Sequence, residues 1–177
     1  ILVEAIQGEG GVIPATAEFM SGLRALCDEK DLLLLCDEVQ CGMGRTGKWF
    51  AFQHFNVEPD AFSMAKALGS GFPIGAIVTN AKLADVFQPG RHASTFGGTP
   101  LACAAALATL QVIEKENLLQ HASDLGARLK KGLQDLVGKY PAHLAEVRGM
   151  GLMLGLVIAD DAKPLEDKVL EMGLITL

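Results

Sequence analysis

Two residues of opposite charge each follow an apolar run, in a pattern that suits chemistry on a carbonyl group. Asp37 ends the run at residues 32–36, and Lys66 follows the run at residues 61–64, 29 positions after Asp37. Open α/β sheets bind ligands at the carboxyl ends of such strands. A lysine held away from water loses its proton more readily and becomes a nucleophile that can form a Schiff base. The pattern predicts such a site, but a structural carboxylate and a surface lysine are alternatives that it leaves open.

A glycine pattern lies directly after this carboxylate, in the segment "CDEVQCGMGRTG" at residues 36–47. Residues 42–47 fit the G-x-G-x-x-G template of a dinucleotide-binding turn. That turn needs its first glycine at the strand end and a helix opening at its third. Here five residues separate the strand from Gly42, and an aromatic stretch follows Gly47. The context favours a glycine-rich loop, with a nucleotide-binding domain as the weaker alternative.

Composition narrows the class of protein. Half of the 177 residues are apolar and a fifth are charged, which is enough to bury a core. The net charge of −6, without runs of Lys or Arg, argues against a nucleic-acid partner, and no apolar run approaches the ~20 residues of a membrane span. The four Cys and four His have no metal-ligand spacing, so no metal site is predicted. Free, buried thiols indicate a reducing compartment and hence the cytoplasm.

The hydrophobic pattern predicts an α/β fold. Short runs that are apolar on both faces suit buried parallel strands, and longer periodic segments suit helices. We expect strands at residues 1–6, 32–36, 61–64, 75–79, 145–148 and 152–158, and helices at residues 17–30, 81–87, 100–115, 117–139 and 164–172.

The pattern changes in the second half of the chain, where Tyr140-Pro141 ends a long polar helix. We therefore expect residues 1–120 to belong to a large domain, residues 121–140 to form a connecting helix, and residues 141–177 to begin a smaller domain. The first residues are typical of a strand that begins before residue 1, and residues 173–177 are again apolar and strand-like. These ends predict an internal fragment of a longer protein.

Four segments resemble a known family in order and spacing: "VEAIQGEGGV", "DEVQCGMGRTG", "PDAFSMAKALGSGFPIGA" and "STFGGTPLACAAA". They are similar to the class III aminotransferases that depend on pyridoxal 5'-phosphate (PLP), which include acetylornithine, ornithine and 4-aminobutyrate aminotransferases. The loops "CDEVQCGMGRTGKWFAFQ" and "GSGFPIGA" are closest to the acetylornithine branch. The resemblance implies a three-layer α/β PLP-transferase fold of type I, like aspartate aminotransferase. Residues 1–120 would be the C-terminal part of its PLP-binding large domain, followed by the start of a smaller α+β domain.

The resemblance also implies roles around the cofactor. Lys66 is expected to hold PLP and then to move a proton between the substrate and the cofactor. Asp37 is expected to keep the pyridine nitrogen protonated, which makes the ring an electron sink. Val39 would press on the ring face, and Gln40 would lie near the phenolic oxygen. Glu38 belongs to the same cofactor-binding motif and is expected in a supporting position.

Three further residues receive roles from the resemblance. Thr95 matches a residue that binds the phosphate across a dimer interface, where its hydroxyl is a neutral donor. Ser94 matches a position that contacts substrate. Glu9 matches an acid near the substrate pocket that can pair with a carboxylate-binding arginine. Without the resemblance, all three would be ordinary loop or turn residues.

The activity implied is transfer of the terminal amino group of N-acetylornithine to 2-oxoglutarate in arginine biosynthesis, with succinyl-diaminopimelate as a second substrate. A cytoplasmic homodimer with shared active sites is expected. Ornithine or 4-aminobutyrate aminotransferases, a PLP racemase or aminomutase, and an inactive dimerisation remnant are the alternatives. The family's other phosphate loop, ring-stacking aromatic and substrate-binding arginines are not in these 177 residues. The chain alone is therefore predicted to be inactive.

Overall fold

The computed structural model describes residues 1–176, in which strands and helices alternate as the hydrophobic pattern predicts. The strands are β1 (Leu2–Val3), β2 (Ile6–Gln7), β3 (Ile13–Pro14), β4 (Leu35–Asp37), β5 (Ala61–Met64), β6 (Ala76–Thr79), β7 (Leu144–Met150) and β8 (Met153–Ile158). The helices are α1 (Ala17–Glu29), α2 (Pro100–Lys115), α3 (Leu118–Lys139) and α4 (Lys163–Glu171), with short 3-10 helices at Ala51–Phe55, Lys66–Gly69 and Ala81–Val86.

A four-stranded sheet has the strand order β1-β4-β5-β6, and the candidate residues lie at the carboxyl ends of its central strands. Strands β1, β4 and β5 are parallel, as expected for runs that are apolar on both faces. Leu34 and Cys36 are fully buried on this sheet. Asp60 holds the starts of β4 and β5 together, because its carboxylate accepts from the Leu34 N–H at 2.9 Å and from Arg24 Nη1 at 2.9 Å. The Arg24 guanidinium and these hydrogen bonds outweigh burial and lower the pKa of Asp60.

The last strand of this sheet, β6, runs antiparallel to β5. The connection between them is only residues 65–75, and part of it is the 3-10 helix Lys66–Gly69. A parallel return needs a crossover of a dozen or more residues, usually with a full helix. The short connection therefore reverses the chain direction, and it places Lys66 in a tight turn just beyond the carboxyl end of β5.

The strand expected at residues 1–6 is wrong as a single element. Leu2 and Val3 pair with β4, whereas Ile6 and Gln7 leave that sheet and pair antiparallel with β3. The Ala15 N–H donates to the Ala5 carbonyl at 2.9 Å, which closes the open end of the β2–β3 hairpin.

The C-terminal part follows the expected pattern closely. The long helix α3 ends at Lys139, and β7 and β8 then form an antiparallel hairpin that packs on α3. Residues 174–176 form no strand, and Leu177 lies outside the described residues. The boundaries at residues 120 and 140 remain a prediction, since α3 crosses the first of them without a break.

The core agrees with the expected free thiols. Cys27, Cys36 and Cys41 are buried and Cys103 is half-buried, all in the reduced form. Burial raises the pKa of the Cys36 thiol to about 12, so it stays protonated at neutral pH. None of the helices within residues 1–176 is both long and apolar enough to cross a membrane.

The glycine pattern at residues 42–47 allows close packing between this loop and α3. A Cβ atom at Gly44 would lie 2.9 Å from Leu119 Cδ2, and one at Gly47 would lie 3.0 Å from Ser123 Cβ, so both glycines admit α3. The backbone of Thr46 touches Gly151, and Gly151 in turn touches Gly126 of α3, in each case too closely for a side chain. The loop thus joins α3 to the turn between β7 and β8. No α-helix begins at Gly47 to bind a phosphate, since the next helical element among the described residues is the short 3-10 helix Ala51–Phe55.

We expect Gly126→Ala to lower the free energy of unfolding of the full-length protein by about 3 kcal/mol, because the new methyl group must displace the Gly151 backbone. Gly132→Ala is the matched control, since Gly132 lies on the exposed face of the same helix with nothing within 4 Å. That change should raise stability by about 0.5–1 kcal/mol through helix propensity. Urea denaturation of both variants measures the difference, and equal effects would contradict the close approach.

Candidate active site

Asp37 stands at the carboxyl end of β4 with one carboxylate oxygen anchored. Its Oδ1 accepts from the Val39 N–H at 3.0 Å and from Ser63 Oγ at 3.2 Å. No hydrogen bond reaches Oδ2 from any of residues 1–176. The half-buried side chain is therefore oriented by two donors and still has a free oxygen for a ligand. This is an arrangement that can accept a proton-bearing nitrogen.

Ser63 is a residue that the sequence reasoning missed. In the parallel register of β4 and β5, Ser63 is the partner of Asp37, and its carbonyl also accepts from the Glu38 N–H at 2.9 Å. The signal in the sequence is a hydroxyl near the end of an otherwise apolar run, three residues before Lys66. Ser63 therefore orients Asp37, and Lys66 follows Ser63 by three residues, just beyond the end of β5.

Lys66 opens a strained turn beyond the end of β5. It has φ 43°, and Ser70 at the other end of the turn has φ 47°, both in the left-handed region. That conformation costs a non-glycine residue of order 1–2 kcal/mol, so the surroundings must hold it. Leu68 is buried beside α2, and Thr109 of α2 donates to Ser70 Oγ at 3.0 Å. The backbone is thus fixed, while the Lys66 side chain is exposed and free of hydrogen bonds within the described residues.

Glu38 points the opposite way, into the core. It is fully buried, and its carboxylate accepts from the N–H groups of Ala51 at 2.8 Å and Phe52 at 2.9 Å. The Cys41 thiol donates to it at 3.3 Å. Burial raises the pKa of Glu38, and these three donors oppose the rise. Both oxygens are engaged in holding the loop that follows Asp37, so Glu38 supports that loop, and its place in the cofactor-binding motif stays a prediction.

Glu9 and Gln40 meet, although they are 31 positions apart. Gln40 Nε2 donates to Glu9 Oε1 at 3.0 Å. The contact depends on Gly8, because any side chain there would collide with Gln40 Oε1. Since Gln40 lies three residues after Asp37, this hydrogen bond brings the exposed Glu9 carboxylate to the same end of the sheet.

The structure does not bring the remaining two candidates into this group. Ser94 and Thr95 lie in the exposed segment 91–98, and no hydrogen bond among residues 1–176 joins them to Asp37 or Lys66. Phe96 beside them is 82% exposed, which is unusual for an aromatic side chain. Clusters of three or more His, Cys, Asp and Glu side chains with metal-binding geometry are absent from the described residues.

Together these residues offer two kinds of chemistry at the carboxyl ends of β4 and β5. The Asp37 carboxylate can hold a cationic N–H group, and the exposed Lys66 amine can attack a carbonyl carbon. A ligand that carries both a protonated ring nitrogen and an aldehyde fits this donor set. The exposed Glu9 carboxylate adds an acceptor for a second molecule nearby.

Comparisons with known proteins agree with this chemistry. The profile of the family described as Aminotransferase class-III matches residues 1–177. The acetylornithine aminotransferase of Nostoc sp. is 54% identical over 161 residues, which cover 91% of this chain and 38% of the relative. The structure of an acetylornithine aminotransferase from Elizabethkingia anophelis has a TM-score of 0.92 at 39% identity, covering 98% of this chain and 45% of that one. The ornithine aminotransferase from Toxoplasma gondii, with PLP at partial occupancy in its active site, has a TM-score of 0.93 at 40% identity. The match covers 99% of this chain and 42% of that one, so this chain spans less than half of each of these relatives.

We expect Glu38→Ala to lower the free energy of unfolding of the full-length protein by about 3 kcal/mol, because it removes the acceptor of one buried and one half-buried N–H group and leaves a cavity. Glu29→Ala is the control, since the Glu29 side chain is 67% exposed. That change should stay within about 0.5 kcal/mol. Chemical denaturation of the two variants makes the comparison, and a Glu38 effect as small as the Glu29 effect would remove its structural role.

Proposed function

The chain belongs to the class-III aminotransferase family, and on that premise we propose that the protein containing it is a PLP-dependent aminotransferase. The observation that carries the proposal is the half-anchored Asp37 carboxylate at the end of β4, with Lys66 at the end of the neighbouring strand. The charge and the nucleophile that the cofactor needs are then supplied by adjacent strands.

The residues present fit this cofactor. Asp37 Oδ2 is free to accept the N–H of a protonated pyridine ring, and the anchored Oδ1 keeps it aimed. We assign Val39 to the ring face and Gln40 to the phenolic oxygen. When bound, PLP supplies an electron sink for the charge left on the substrate carbon after proton removal. Lys66 Nζ would hold the cofactor, and its free amine is the base that would take the proton from the substrate carbon that bears the amino group.

The amino donor we propose is N-acetylornithine, with 2-oxoglutarate as the acceptor and succinyl-diaminopimelate as a second donor, in arginine biosynthesis. The 54% identity to the Nostoc acetylornithine aminotransferase supports this choice. Ornithine is the second candidate donor, favoured by the TM-score of 0.93 with the Toxoplasma ornithine aminotransferase. Ser94 and Glu9 are our candidates for substrate contacts.

We also propose a homodimer in which Thr95 binds the cofactor phosphate of the partner subunit. Its exposed segment, with Phe96 almost uncovered, suits burial against a second copy. The buried free thiols suit a reducing compartment such as the cytoplasm. The proposed division of the chain is a PLP-binding part at residues 1–120, a connecting helix at 121–140 and part of a small domain at 141–177.

Turnover of the full-length protein with each donor tests the substrate. We expect 2-oxoglutarate to be consumed in step with N-acetylornithine, at a kcat/KM at least about tenfold above that for ornithine or 4-aminobutyrate, which corresponds to about 1.4 kcal/mol. A preference for ornithine would transfer the assignment to that branch. Turnover without any oxo-acid acceptor would instead indicate a racemase or aminomutase.

We expect Lys66→Ala to abolish transamination in the full-length protein, because the nucleophile and the proton carrier are the same amine. The variant should also fail to retain the cofactor after borohydride reduction, whereas the unaltered protein keeps it on the peptide containing Lys66. Lys82→Ala, at an exposed lysine, is the control and should behave like the unaltered protein. Covalent cofactor on Lys66→Ala would contradict the assignment.

We expect Asp37→Asn to reduce kcat by a factor on the order of 100 to 1000, since an amide does not hold the ring nitrogen in its protonated state. Cofactor binding should persist, because Lys66 is intact. Asp28→Asn changes the same functional group at an exposed position and should leave kcat unchanged. Steady-state kinetics and the visible spectrum of the bound cofactor separate the two effects.

A further inference from the structure

The turn that carries Glu9 is held in an unfavourable conformation. Residues 8–12 join β2 to β3, and the N–H groups of Gly11 and Val12 both donate to the Gly8 carbonyl, at 3.0 and 3.2 Å. Val12 has φ 53°, in the left-handed region that a β-branched residue rarely adopts. Such a conformation persists only where neighbouring structure holds it. The neighbours of this turn therefore determine where Glu9 lies.

One of those neighbours is the C-terminal hairpin. A Cβ atom at Gly155 of β8 would lie 3.1 Å from Val12 Cβ and 3.3 Å from Val12 Cγ2, so the Val12 side chain fills the space that residue 155 leaves empty. The partner of Gly155 in the β7–β8 register is Arg148. Its Nη1 lies 3.8 Å from the position of a Cβ atom at Gly11. Directly opposite residues of an antiparallel pair share a face, so Gly155 and Arg148 meet the turn together.

The Arg148 guanidinium is itself fixed. Its Nε donates to Glu146 Oε1 at 2.7 Å, and its Nη1 lies beside Gly11 of the turn. On the opposite side, Gln40 Nε2 donates to Glu9 Oε1. The turn is thus clamped between the segment that follows Asp37 and the β7–β8 hairpin.

We propose that Gly155 and Arg148 are positioning residues that set the affinity for the amino donor through Glu9. The inference rests on the proposed function, in which Glu9 contacts substrate. A methyl group at residue 155 pushes Val12 outward by a few tenths of an ångström and rotates the turn. The Glu9 carboxylate then leaves its hydrogen bond with Gln40, while Asp37 and Lys66 keep their positions because no hydrogen bond among residues 1–176 joins either of them to the hairpin.

The test is steady-state kinetics of the full-length protein with N-acetylornithine and 2-oxoglutarate. Gly155→Ala should raise KM for N-acetylornithine about tenfold, with kcat within about twofold and the spectrum of the bound cofactor unchanged. Gly132→Ala, the same chemical change on an exposed helix face, is the control. Adding Val12→Gly to Gly155→Ala removes the colliding side chain and should restore KM, which a general loss of stability would not do.

A second variant keeps the test decisive where Gly155→Ala does not fold. Arg148→Lys retains the charge but replaces the planar guanidinium, which lies beside Gly11 of the turn, by a single ammonium group, so it no longer fills that space with the same shape. It should raise the same KM, with Arg128→Lys on exposed helix surface as its control. An unchanged KM in Gly155→Ala and Arg148→Lys, while Glu9→Gln raises it, would overturn this inference alone. An unchanged KM in Glu9→Gln would overturn it together with the proposed substrate contact of Glu9.

Discussion

The parallel register between β4 and β5 is the constraint on which the whole candidate site depends. It sets Asp37 opposite Ser63, so the carboxylate is anchored and the following turn places Lys66 beyond it. A slip of one residue would exchange the two faces of the strand and move Asp37 to the opposite side of the sheet. Asp60 prevents such a slip, because it ties the start of β5 to Leu34 at the start of β4. The Asp60 carboxylate thus protects the geometry of the carboxylate that we propose binds the cofactor, Asp37.

Three carboxylates around this sheet differ in how completely they are used. Asp60 accepts from an arginine, an amide and a backbone N–H, and Glu38 accepts from two backbone N–H groups. Asp37 keeps one oxygen without a partner among residues 1–176. Residue type and strand position are therefore a weak guide to function, since all three acids stand near strand ends. The count of satisfied oxygens separates the acid that can bind a ligand from the two that support the fold.

The sequence was sufficient for elements with a strong local pattern. The helices at residues 100–115 and 117–139 and the strand ends bearing Asp37 and Lys66 follow from apolar periodicity and punctuation alone. The split of residues 1–6 could not be predicted, because it depends on which distant strand offers free backbone groups. The direction of β6 was missed because apolar periodicity does not report strand direction, which here follows from the short connection at residues 65–75. The Ser63 and Gln40–Glu9 contacts were missed because they join residues 26 and 31 positions apart.

Exposure limits what this chain can do with the groups it has. Lys66 is exposed and Asp37 is half-buried, so water screens both charges. A pair of unit charges 4 Å apart interacts by about 1 kcal/mol in water and about 4 kcal/mol at a protein surface with a lower effective dielectric constant. An electron-sink mechanism needs the stronger regime, in which the ring nitrogen stays protonated and the lysine sheds its proton. The chain spans only 38% of the length of its Nostoc relative. The β4–β5 pair therefore supplies the reactive groups, and their strength depends on what covers them.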